Sequence, residues 1–243
     1  MLQKRKQLAH PAIHTLPEKQ GMGAKLYDII LGGQDGVVNV LGIVLGVATA
    51  TNDTRIVLIS GLASTFAESL SMGAVAYTSA KAARDYYYSE LQREEREIET
   101  MPAAERKEIR DIYANKGFKG IMLEKIVKHI TSNKKRWVET MMAEELRMSP
   151  ENHAHPFRES LLVGFASLIG SLIPITPFFF APVKQGIYVA VAFSVAVLFV
   201  TGAIKAKITV GKWWLSGIEM SLIGMTAALA GYGIGLLLGV APL

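Results

Sequence analysis

The chain has no cysteine among its 243 residues. That excludes disulfides, thiolate metal sites and iron–sulfur clusters. It also lacks a glycine-rich phosphate loop, so the usual cradle of an ATP-driven pump is missing. No tandem repeat or low-complexity tract is present. No cleavable leader is expected, because the first 25 residues are basic and polar with no apolar stretch ahead of a small-residue cleavage site. They read as a short cytoplasmic arm.

Charge is missing over long stretches. Leu161 to Val183 and Gln185 to Ile204 carry none. Ile29 to Asn52 carries only Asp35, Ile56 to Ala80 only Glu68, and Trp213 to Leu243 only Glu219. Each stretch reaches the ~20 residues that a helix needs to cross the hydrocarbon layer. A globular core has no use for five such runs. The pattern predicts an all-α integral membrane protein with five transmembrane helices, and half of the chain is apolar.

The bases that remain give the orientation. Lys4, Arg5, Lys6, Lys19 and Lys25 precede the first span, and Lys205, Lys207 and Lys212 join spans four and five. The opposite links hold only Arg55 and Lys184. Short basic loops stay in the cytoplasm, so the N-terminus is expected inside and the C-terminus outside. A long charged insert joins spans two and three and falls on the inner side. Its 16 bases are nearly cancelled by 14 acids, which argues against a nucleic-acid partner. The chain therefore divides into an arm at 1–26, spans one and two at 27–80, the insert at 81–158, and spans three to five at 159–243.

The insert reads as three helices. Span two has no breaker through Glu99 and is expected to run straight out of the membrane. Pro102 suits the first turn of a second helix ending near Asn115–Lys116–Gly117. A third is expected from about Phe118 to Met148, stopped by Ser149–Pro150. On span one Gly32, Gly36, Gly42 and Gly46, and on span five a stripe from Gly217 to Gly235, are spaced for close helix contact. They serve either packing within one chain or a homodimer seam.

Asp35, Glu68 and Glu219 are the ionisable residues inside the spans, and no Lys, Arg or His lies there to neutralise them. Ionisable groups in a membrane are costly and mark ion or proton pathways. Three acids without a fixed base call for a mobile cation. Asp35 lies roughly 10 Å into span one and Met72 roughly 13 Å into span two, with Glu68 one turn deeper. Glu68 and Met72 share a helix face, as do Asp35 and Asn39. Carboxylate with thioether favours a transition metal over Mg²⁺ or Ca²⁺. In the insert, Glu94 and Glu97, then Glu105 and Glu108, repeat an i,i+3 spacing. Met141, Met142 and Glu145 fall within about one turn. Helices rich in Glu and Lys are commonly plain solvated faces, and His153 and His155 read as link residues or as ligands. The Glu-x-x-His pairs of a di-iron enzyme are missing, so no enzyme activity is expected.

Taken in order, these residues resemble the vacuolar iron transporter family. Gly32-Gly33-Gln34-Asp35-Gly36 is similar to its Asp-Gly motif, and Ser71-Met72 follows at the family distance. Glu94, Glu97, Glu105 and Glu108, then Trp137 ahead of Met141-Met142 and Glu145-Leu146, complete the match from about Asp28 to the end of span five. The resemblance implies a dimeric divalent-metal/proton antiporter that uses no ATP. Asp35 and Met72 would line the path at the dimer interface, and the acids and methionines of the insert would gather metal. Many relatives carry a glutamate four residues after the span-two methionine. Here that position is Ala76, and Glu68 lies four residues before Met72 instead.

The expectation is a proton-coupled exporter of cytoplasmic Fe²⁺, in a prokaryotic plasma membrane given the short chain, with no tightly bound cofactor. Mn²⁺, Zn²⁺ or Co²⁺ as cargo, and a non-transporting metal sensor or iron store, are the other readings.

Overall fold

A computed structural model describes residues 20–149, 155–209 and 211–239. Eight α-helices account for most of them. Helix α1 spans Gln20–Thr51, α2 Thr54–Thr100, α3 Pro102–Asn115, α4 Gly120–Thr131, α5 Lys134–Glu144, α6 Pro156–Ile175, α7 Val183–Ile208 and α8 Trp213–Leu238. Five stretches are long and apolar enough to cross a membrane: α1, α2, α6 with the short 3₁₀ turn that follows it, α7 and α8. Large apolar side chains such as Leu70, Leu222, Leu229 and Leu237 stand exposed along them. A water-soluble monomer does not expose so much apolar surface.

Local chemistry sets the joints. Asn52 takes a positive φ of 49°, a conformation that Asn tolerates. The Asp53 carboxylate then accepts from the Arg55 and Ile56 amides at 2.7 and 3.2 Å, which starts α2. With no Gly or Pro break between its apolar and charged halves, α2 continues for 47 residues. At 1.5 Å per residue that is about 70 Å, more than twice the hydrocarbon thickness. Pro102 opens α3 as expected, and Gly117 at φ 98° turns the chain out of it.

The helix expected over 118–148 is two helices. The Asn133 side chain accepts from the Arg136 amide at 3.0 Å and starts α5 afresh, after α4 ends at Thr131. The distal half of α2 and α3 to α5 enclose a core of their own. Ile98, Ile109, Val127, Trp137, Val138, Met141 and Met142 are buried in it.

The glycine stripes mediate contacts within the chain. Gly36 of α1 lies against Ser167 and Ser171 of α6, and Gly231 of α8 lies against the Gly42 backbone. A side chain at Gly231 would overlap that backbone. Gly217 and Gly224 meet Phe199 and Leu198 of α7. These contacts hold α1 at the centre of the spanning helices, with Val40, Leu41, Val44 and Leu45 buried.

Candidate functional site: an acid pair in the spans and an acidic cluster in the insert

The first group lies where α1 meets α2. Asp35 falls on the part-buried side of α1, next to Gly36 and Val37, which are buried. The Asn39 amide, one turn on, donates to Glu68 Oε1 of α2 at 3.2 Å. The Asp35 and Glu68 carboxyls are within hydrogen-bonding reach of each other. Asp35, Glu68 and Asn39, singled out for their charge and spacing within the spans, thus meet where α1 packs on α2. Met72 is half-buried one turn from Glu68. Asn39 also lines an open apolar groove of about 640 Å³ between α1 and α8, whose walls include Ile43, Ala230 and Ile234. Glu219 does not join the group. It is exposed on α8 and makes no hydrogen bond or ion pair among the described residues.

The second group forms in the insert. α2 contributes Glu94 and Glu97, α3 contributes Glu105 and Glu108, and α5 contributes Met141 and Met142, with Glu145 capping its end. Glu94 and Glu105 are only 1% and 3% exposed, and both methionines are buried. One carboxylate oxygen of each buried acid, Glu94 Oε2 and Glu105 Oε2, has no hydrogen-bond partner. A buried, unpaired carboxylate oxygen is costly unless a cation or proton meets it.

The acids act on one another through their charges. Burial, then the negative charge of Glu108, Glu94, Glu97 and Glu145, pushes Glu105 up to about 7. Glu145 sits exposed at the rim, yet lost solvation and the charges of Glu108 and Glu94 push it to about 7 as well. Glu94 is also raised, chiefly by burial, although Arg93 opposes the shift.

Arg93 was not singled out by the motif reading, and it is the fixed counter-charge here. Its guanidinium reaches Glu90 at 2.8 Å, Glu94 at 3.3 Å and Glu97 at 3.6 Å. The spacing of Glu90, Arg93 and Glu97 on one helix carried that signal. Among the described residues, no three His, Asp or Glu side chains are closed into a ligand set. Arg93 gathers the acids of α2, while Glu105 and Glu108 of α3 and Glu145 make no ion pair with it among the described residues. His153 lies outside the described residues, and His155 is exposed at the start of α6.

The model of the VIT family matches residues 26–236. The chain is 32% identical to "Vacuolar iron transporter 2" of Oryza sativa subsp. japonica over 87% of each chain. It is 31% identical to "Vacuolar iron transporter 1" of Tulipa gesneriana over 85% of this chain and 84% of the relative. It is also 31% identical to "Vacuolar iron transporter" of Plasmodium falciparum (isolate 3D7), over 95% of this chain and 89% of the relative.

Proposed function

The chain belongs to the VIT family, and from that premise we propose that it is a homodimeric, proton-coupled transporter that moves Fe²⁺ out of the cytoplasm. The contact of Asp35 with Glu68 carries this reading. Two carboxyls at hydrogen-bonding reach, with no base in the spans, hold either a shared proton or a cation between them. Arrival of a metal ion displaces the proton, and loss of the ion lets a proton return. That alternation is the exchange an antiporter needs. Asn39 orients Glu68 by its hydrogen bond, and the Met72 thioether favours a transition metal over Mg²⁺.

In this reading Glu94, Glu97, Glu105, Glu108 and Glu145, with Met141 and Met142, collect the ion before it enters the spans. The unpaired oxygens of Glu94 and Glu105 are the acceptors it would satisfy. The groove beside Asn39 accepts α1 of a second copy, which brings two acid pairs face to face. Basic loops stay on the cytosolic side of plasma and vacuolar membranes alike, so export from the cytosol holds for either.

The test is metal flux in sealed proteoliposomes under a proton gradient. Asp35→Ala should abolish Fe²⁺ flux while metal binding by the insert persists. Unchanged flux would remove Asp35 from the path. Binding by the wild type without any flux would make the chain a metal sensor or store. Competition by Mn²⁺, Zn²⁺ and Co²⁺ in the same assay ranks the cargo.

A further inference from the structure

On the far side of α2 from Glu68 and Met72, α2 and α6 enclose a second groove. Its volume is about 620 Å³, and Phe66, Leu70, Leu161 and Phe165 form its walls. The floor is Gly73 and Gly164, whose close approach brings the two backbones together. At about 100° per residue, Phe66, Leu70 and Tyr77 project from one face and Glu68 and Met72 from nearly the opposite one. The groove is therefore separate from the acid pair.

Beside the groove, at the insert end of the spans, lies a smaller pocket of about 340 Å³ with basic side chains in its lining. Tyr77 and Phe157 line both, and Arg84, His155 and Arg158 line the pocket alone. The charge-free part of α2 ends at Ala80 and that of α6 begins at Leu161, which puts the pocket at the edge of the hydrocarbon layer. The Arg158 side chain makes no ion pair among the described residues. Arg84 has only a 3.7 Å approach to Asp85, which Lys81 already meets at 2.5 Å. Glu159, the neighbouring acid of α6, lies close enough to Asp28 of α1 to interact with it and does not line the pocket.

We propose that this groove and its basic mouth form a binding site for one anionic phospholipid, with the phosphate at Arg84 and Arg158 and an acyl chain along α2 and α6. The two halves commit the site to that occupant. A basic pocket alone takes any phosphate, and an apolar groove alone takes any lipid tail. Their adjacency at the membrane edge, across Tyr77 and Phe157, selects a molecule that carries both. Two guanidiniums disfavour a zwitterionic headgroup, whose ammonium would sit among them, and basic pockets between spans on the cytoplasmic side suit anionic headgroups.

The experiment uses the full chain in nanodiscs of equal phosphatidylglycerol and phosphatidylcholine, released into mild detergent and weighed by native mass spectrometry. The wild type should retain phosphatidylglycerol. Arg84→Gln with Arg158→Gln should weaken retention about 25-fold, since each basic residue near an anionic lipid contributes a factor of about five. Ala74→Trp fills the groove, leaves the mouth intact and should also eject the lipid. It keeps the test decisive if the double variant misfolds. Equal retention of phosphatidylcholine would overturn the proposal. So would normal retention in Ala74→Trp, or displacement of the lipid by inorganic phosphate, since either would mean a headgroup-only site.

Discussion

At the scale of single residues, the insert acids are poised for protons as well as cations. An unfolded glutamate titrates near 4.5, while Glu105 and Glu145 titrate near 7 in the folded chain. Between those values the folded state holds protons that the unfolded state has released. Stability should therefore fall as pH rises through that window and level off above it. Melting temperatures of the metal-free protein from about pH 5 to about pH 8 read this directly. Glu105→Gln should flatten the slope, and an unchanged slope would place the titration elsewhere. Met141 is fully buried, so packing and ligation must be separated by shape. Met141→Leu keeps the volume, at a cost under about 1.5 kcal/mol, but removes the sulfur. The expected result is a nearly unchanged melt with weaker binding of Fe²⁺ in a titration. The acids were legible as residues because their i,i+3 spacing repeats. Arg93 was not, because an arginine among glutamates reads as a solvated helix face until its three contacts are seen.

At the scale of elements, the spans were legible because lipid forbids charge over a helix length, a rule that leaves gaps in the sequence. The division between α4 and α5 was not, because no Gly or Pro marks it. The Ser132 hydroxyl bonds the His129 carbonyl at 2.8 Å and Asn133 caps the next helix. Polar side chains thus do the work that a helix breaker would announce. Asn133→Ala should cost about 1 kcal/mol of insert stability, read as a lower midpoint in denaturant with the spans unaffected. The glycine stripes left two roles open; the contacts of Gly36 and Gly231 show packing within the chain, and Gly42, Gly46, Gly231 and Gly235 also line the open groove beside Asn39. Gly231→Leu should separate α8 from α1 and lower the yield of folded protein in detergent.

At the scale of the whole molecule, the absence of cysteine is an experimental advantage. Ile43→Cys introduces a single thiol on the open groove beside Asn39. If α1 faces its copy there, mild oxidation should give a covalent dimer, while a thiol placed on the exposed face of α7, at Tyr188, should not. Only monomer from both would remove the groove from any dimer seam. The sequence carried the spans, and the lysine and arginine counts that differ across its links give an expected orientation. It carried no sign of the groove between α2 and α6, which arises only where two glycines from distant segments meet.

The unbroken length of α2 has one more consequence. Glu68 and Glu94 lie 26 residues apart on a single helix, a spacing of about 39 Å that bending alters little. A rod of that kind works as a ruler. No ligand on the insert end can lean over to hand its ion to the residues at the other end. In the proposed transport, an ion released by the insert glutamates crosses water only as far as the membrane edge near Ala80, and a fast chelator on the same side would intercept it there.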